Sequence, residues 1–143
     1  GDWCPFCKAF ITRFEKIAEE IRDQGGYIAA ISAQKESTAT KTKKNWKVNF
    51  DVLSDRSTEF SRYLNEKKIF NPTLAITKTK LDPHTWMYEA GYIQPALLFT
   101  TKDDILYQWA IQPSVMNLGG ASDRPVPEEV WESAKAKLNG EER

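Results

Sequence analysis

The sequence is poor in the residues that build metal centres and disulfide frameworks. Its 143 residues include two cysteines, one histidine and two methionines. Both cysteines, Cys4 and Cys7, fall in one four-residue motif. A bond between them would close a tiny loop and constrain little of the unfolded chain, so a structural staple explains them poorly. His84 stands alone, which excludes a His-rich metal site. Long apolar runs are also missing. The longest is Tyr27 to Ile31, whereas a membrane-crossing helix needs about 20 residues. Neither sign of charge prevails: twenty Lys and Arg face twenty Asp and Glu. There is thus no overall pull toward nucleic acid or acidic lipid, and neither is expected as a partner. No signal or transit segment is legible, and a cytoplasmic location is expected.

What the chain does have is bulk for a core. Five Trp, five Tyr and seven Phe accompany 41% hydrophobic and 28% charged residues. That mixture fits one globular domain spanning 1–143 and argues against disorder or a repeat array.

Local patterns predict alternating helices and strands. Pro5 to Gln24 reads as a helix with Phe10, Phe14, Ile17, Ala18 and Ile21 on one face. Pro5 suits its first position and Gly25-Gly26 its end. Tyr27 to Ile31 reads as a short buried strand. Gln34 to Trp46 reads as a solvated helix, and its lysines as a solvated face rather than a binding patch. Phe50 to Asp55 reads as a strand and Ser57 to Asn65 as a helix carrying Phe60 and Leu64. Within Glu66 to Gln94, Thr73 to Thr77 suggests a strand, and Asn71-Pro72 and Asp82-Pro83 suggest turns. Pro95 to Thr100 and Ile105 to Ile111, joined through Lys102-Asp103-Asp104, predict a hairpin. Gln112 to Pro127 is loop-like. Pro127 to Leu138 reads as a last helix, with Val130, Trp131, Ala134 and Leu138 facing inward. The sum is an α/β sandwich with a mixed sheet.

Cys4-Pro5-Phe6-Cys7 opens the first helix, and its position matters more than its spacing. Free N–H groups and the positive helix end favour a thiolate at Cys4. Two intervening residues bring Cys7 within one turn, where it can attack a mixed disulfide formed at Cys4. Cys4 is therefore the expected nucleophile and Cys7 the resolving thiol, with no cofactor and no metal. A zinc site remains an alternative, but it would need His84 and a carboxylate, or a second chain. Two inert buried cysteines are another.

Gly1-Asp2-Trp3-Cys4-Pro5-Phe6-Cys7 resembles the active-site turn of thioredoxin-like proteins. The closest likeness is to the peroxiredoxin-like branch of the alkyl hydroperoxide reductase/thiol-specific antioxidant (AhpC/TSA) family. Ile31-Ser32-Ala33-Gln34 and Val52-Leu53-Ser54-Asp55 resemble that branch's next two strand ends. Gln94-Pro95-Ala96-Leu97-Leu98-Phe99 resembles the loop that carries a cis proline before a strand. The resemblance implies a thioredoxin-like sandwich, a central mixed sheet flanked by helices, and redox chemistry. It makes Gln94–Pro95 a candidate cis bond lying against the first cysteine and touching substrate. Three departures stand out. The core strand that leads into the cysteine turn in the family is not represented in this chain. Gly1 occupies the place of a Thr or Ser. Gln94-Pro95 stands where a peroxide-activating arginine is usual, with Arg124 as another candidate for that role. These departures favour dithiol–disulfide exchange over peroxidase activity.

The loop Pro113 to Pro125 is expected to pack near the cysteine turn and shape a pocket through Asn117 and Arg124, or else to wrap the sheet structurally. Trp3 and Phe6, flanking the cysteines beside Pro5, offer an apolar surface for substrate or partner, or else belong to the core. His84 reads as an exposed loop residue, and Trp86, Met87 and Tyr88 as a packing cluster or pocket lining. The expected partners are a peroxide, a disulfide or a small organic substrate, together with an external thiol reductant; a homodimer is also admitted. Two other readings stay open. One is a biosynthetic enzyme, such as an isomerase, acting on an apolar metabolite without redox turnover. The other is a binding module without catalysis.

Overall fold

The computed structural model describes residues 2–76, 78, 80, 83–112, 114–117 and 122–141. Expectations placed on Gly1, Thr77, Asp82, Pro113 and residues 118–121 lie outside these, as does the His84 side chain.

The chain runs α1 (Pro5–Arg13), α2 (Glu15–Asp23), β1 (Ala29–Ser32), α3 (Glu36–Trp46), β2 (Asp51–Ser54) and α4 (Glu59–Glu66). There follow β3 (Leu74–Ala75), a short 3-10 helix (Pro83–Met87), β4 (Tyr92–Ile93), β5 (Ala96–Thr100), β6 (Ile105–Ala110) and α5 (Pro127–Leu138). The single first helix read from periodicity is interrupted at Phe14, whose N–H bonds the Ile11 carbonyl in a tightened turn. Thr12 contributes to the break: its hydroxyl donates back to the Lys8 carbonyl at 2.7 Å, a bond that bends helices. The apolar face survives the break. Phe10, Phe14, Ile17, Ala18 and Ile21 are all buried. Gly25, at φ +76°, ends α2, and the Gly26 N–H caps the Ile21 carbonyl.

The strands form three two-stranded ladders. β1 and β2 are parallel, with Ser32 opposite Ser54. β3 pairs antiparallel with β4, and β5 with β6 in the expected hairpin. The mixture of parallel and antiparallel pairing is the one expected, but among the described residues it is distributed over separate ladders. β1 and β5 are each paired along one edge only. Both are half-buried, so the Tyr27 to Ile31 run is not the enclosed strand its apolarity suggested: Tyr27 and Ile31 are exposed.

One core unites most elements. Phe10, Phe14, Ile17, Ala18 and Ile21 pack with Val48, Phe50, Trp131 and Ala134, while Leu97, Phe99 and Tyr107 of the hairpin close over them. Trp131 is anchored by its indole N–H, which donates to Glu20 at 3.0 Å. Leu138, expected on an inner face, is exposed instead, and so is Phe60. Each lies within a turn of its helix end, and Leu64 and Ala134 fill the inner positions. A second, smaller cluster joins Ala33, Tyr88 and Tyr92 with Trp3 and Ala75.

Candidate active site

The site is built on the start of α1. Cys4 adopts an extended conformation (φ −96°, ψ 107°) and is the N-cap of the helix, with Pro5 next. Proline has no N–H to leave unsatisfied there. The Cys7 N–H, free of an intrahelical acceptor, donates to Cys4 Sγ at 3.1 Å. Both thiols are free.

These contacts separate the two sulfurs electrostatically. The Cys7 side chain, donating to Cys4, and the Cys7 backbone N–H hold the Cys4 thiol down at about 5, against the opposing pull of burial. Cys7 moves the other way: the bond to Cys4 and its own burial push it well above the ordinary thiol range. Near neutral pH the pair therefore carries one negative charge, on Cys4, and one proton, on Cys7. Cys4 exposes only 7% of its surface, while Cys7 is half-buried.

Trp3 and Phe6 diverge. Trp3 is half-buried, donates its indole N–H to the Tyr88 hydroxyl at 2.8 Å, and meets Tyr92 edge-on at 6.2 Å. Phe6 is 56% exposed, and Pro5 is exposed beside it. One aromatic thus packs inward and the other faces solvent from between the cysteines.

Arg124 reaches the same turn from the far end of the chain. Its Nη2 donates to Cys7 Sγ at 3.6 Å. Its guanidinium lies over the Phe10 ring, 5.4 Å from the centroid. The loop that carries it is tied by Asn117. The Asn117 Nδ2 donates to the Ser122 carbonyl at 3.0 Å, and its Oδ1 accepts from the Ser122 N–H and hydroxyl, also at 3.0 Å. Asn117 is buried, with its amide engaged inside the loop.

Gln94 and Pro95 join β4 to β5. The Gln94 N–H donates to Thr73, and the Pro95 carbonyl accepts from Ile111. The candidate cis bond is trans, as no cis peptide occurs among the described residues. Trans is the lower-energy form of an X–Pro bond by about 0.5–1 kcal/mol, and the extended path into β5 needs no reversal. The backbone bonds of this junction run to Thr73 and Ile111. Among the described residues, buried Gln94 Oε1 meets no hydrogen-bond donor.

The residue that the sequence pointed to least is Tyr88. Burial pushes its phenol up, and the charges of Asp2, Cys7 and Cys4 add to that effect. The phenol therefore lies within electrostatic reach of both sulfurs, 81 residues after Cys7 in the chain. Only its place between Trp86-Met87 and Tyr92 hinted at a cluster. Among the described residues no three His, Cys, Asp or Glu side chains converge to hold a metal ion. None of the described helices is long and apolar enough to cross a membrane.

Comparison with family models gives one finding: the model of the AhpC/TSA family matches residues 1–106. That family carries the thioredoxin-like fold and thiol-dependent redox function. Comparison with curated proteins and with solved structures found no match.

Proposed function

We propose, since the chain belongs to the AhpC/TSA family, that it works as a thiol–disulfide oxidoreductase or thiol peroxidase through the Cys4–Cys7 dithiol. The observation that carries this reading is the Cys7 N–H pointing at Cys4 Sγ, 3.1 Å away, at the start of α1. A helix N-terminus that donates to a sulfur stabilises it as an anion, and the anion is the nucleophile.

In the first step the Cys4 thiolate attacks a sulfur of a disulfide or an oxygen of a peroxide. The S–S or O–O bond breaks and its far half leaves with the electron pair. Cys4 becomes a mixed disulfide or a sulfenic acid. Cys7 then attacks Cys4 Sγ, releasing the second thiolate or water and closing a Cys4–Cys7 disulfide. An external thiol reductant restores the dithiol. No cofactor is needed for this cycle. The burial of Cys4 favours small oxidants or substrates that present an accessible disulfide. Exposed Phe6 and Pro5 supply the apolar edge such a substrate would meet, with Trp3 behind them. Arg124 borders the Cys7 side and Asn117 holds the loop that carries it, and Gln94 and Pro95 complete the proposed substrate-facing set.

Single substitutions test the cycle. Cys4→Ser abolishes turnover of both hydrogen peroxide and a small disulfide. Cys7→Ser reacts once and accumulates a mixed disulfide, visible as a mass increase in intact-protein mass spectrometry. Turnover retained in both variants would remove the redox reading and leave the scaffold to another chemistry.

A further inference from the structure

Arg124 donates to the sulfur of the second cysteine, while its charge is the last and smallest of the influences on the first. Its contacts fix it there from two sides: Nη2 bonds Cys7 Sγ at 3.6 Å, and the face of Phe10 lies 5.4 Å beneath the guanidinium. The Asn117 clamp on Ser122 sets the loop two residues before it. We propose that Arg124 is a catalytic residue of the second half-reaction, stabilising the Cys7 thiolate once Cys4 has been consumed. This inference rests on the dithiol cycle proposed above.

The argument follows the charge. In the reduced pair Cys4 is the anion, and its sulfur holds the proton on Cys7. The groups that act on Cys7 are the Cys4 sulfur at the helix cap, the positive amino terminus, Arg124 from the loop and, farther off, the Tyr88 phenol. When Cys4 forms a mixed disulfide, its charge disappears. The two influences that kept Cys7 protonated from that side disappear with it. What remains is burial, which opposes ionisation, and two positive groups that favour it, the amino terminus and Arg124, of which only Arg124 donates directly to the Cys7 sulfur. A guanidinium stays cationic throughout, so its influence grows in relative weight when it is needed. The same arginine leaves the reduced pair asymmetric, because the Cys4 thiolate already satisfies the Cys7 S–H.

The test separates the two half-reactions with a neutral probe, 4,4′-dithiodipyridine, whose attraction to the site does not depend on the arginine charge. Cys4 attacks one probe sulfur, breaking its S–S bond and releasing one thiopyridone. Cys7 then gives its proton to solvent and attacks Cys4 Sγ, releasing the second thiopyridone. Two electrons pass from the dithiol to the probe. Stopped-flow absorbance on the full chain reads both releases. In Arg124→Gln the first release should stay within about threefold of the parent near pH 7, while the second slows by about tenfold or more. The deficit should shrink as pH rises and Cys7 ionises without help, and Arg124→Lys should recover most of the rate. Equal slowing of both releases, or a second release unchanged at every pH, overturns the inference. Failure of the parent protein to give a second release overturns the dithiol cycle itself.

Discussion

The indole N–H of Trp3 donates to the hydroxyl of Tyr88 at 2.8 Å, a bond across 85 positions of sequence. It ties the residue before Cys4 to the small cluster of Tyr88, Tyr92 and Ala33. The cysteine turn is thereby held from its N-terminal side by an anchor independent of the main core. Tyr88→Phe keeps the ring and removes the acceptor. It is expected to lower the unfolding free energy by about 1 kcal/mol in urea titration. The charge on Cys4 should persist, because the Cys7 side chain and backbone set it.

The Cys4 thiol titrates far below the ordinary 9.0, at about 5. Iodoacetamide alkylation of the reduced protein should therefore rise with a midpoint near pH 5. In Cys7→Ala the midpoint should move up, since the first cause of the depression has been removed. The linkage has a definite sign. A thiol depressed by folding binds fewer protons in the native than in the unfolded state between the two values. Its contribution to stability is present above the unfolded value and is lost as pH falls through about 5. Denaturant titrations of the parent and Cys4→Ser across that window should diverge in that direction; parallel curves would contradict the assignment.

Asn117 spends its amide on Ser122, and the Asp123 carboxylate lies 3.4 Å from the same Nδ2. Asn117→Ala should loosen the loop before Arg124 and slow the second probe release, leaving the first unchanged. The effect should be smaller than that of Arg124→Gln. A raised KM with intact resolution would instead make Asn117 a substrate contact.

Gly91 sits at φ +81° between the 3-10 helix and β4. A Cβ there would meet the Ala75 carbonyl oxygen and come within 3.0 Å of Ile76 Cα. Both are backbone atoms of the partner segment and neither can rotate aside. Gly91→Ala should cost about 3 kcal/mol and lower the melting temperature by several degrees, through strain plus overpacking.

Short-range patterns in the residues anticipated much of this molecule. The buried stripe from Phe10 to Ile21 repeats at helical spacing within one element, so it was legible without a partner. The hairpin from Ala96 to Ala110 was equally local: two apolar runs bracket a polar turn in which the Thr101 N–H bonds the Asp104 carbonyl. The Thr12 back-bond that breaks the first helix involves only four residues. It went unread because threonine's alternatives within a helix look the same in sequence.

The amino-acid sequence by itself determined the dithiol at a helix start, the apolar faces and the α/β alternation, because each depends on neighbours a few residues apart. Only the tertiary structure decided that Trp3 turns inward to Tyr88 while Phe6 faces solvent, that Gln94–Pro95 is trans, and that Arg124 donates to Cys7. The first of these is a long-range bond and the second a strand junction. The last joins residues 117 positions apart across a packed core. No periodicity encodes such distances: they are fixed when the separate elements bury one common surface.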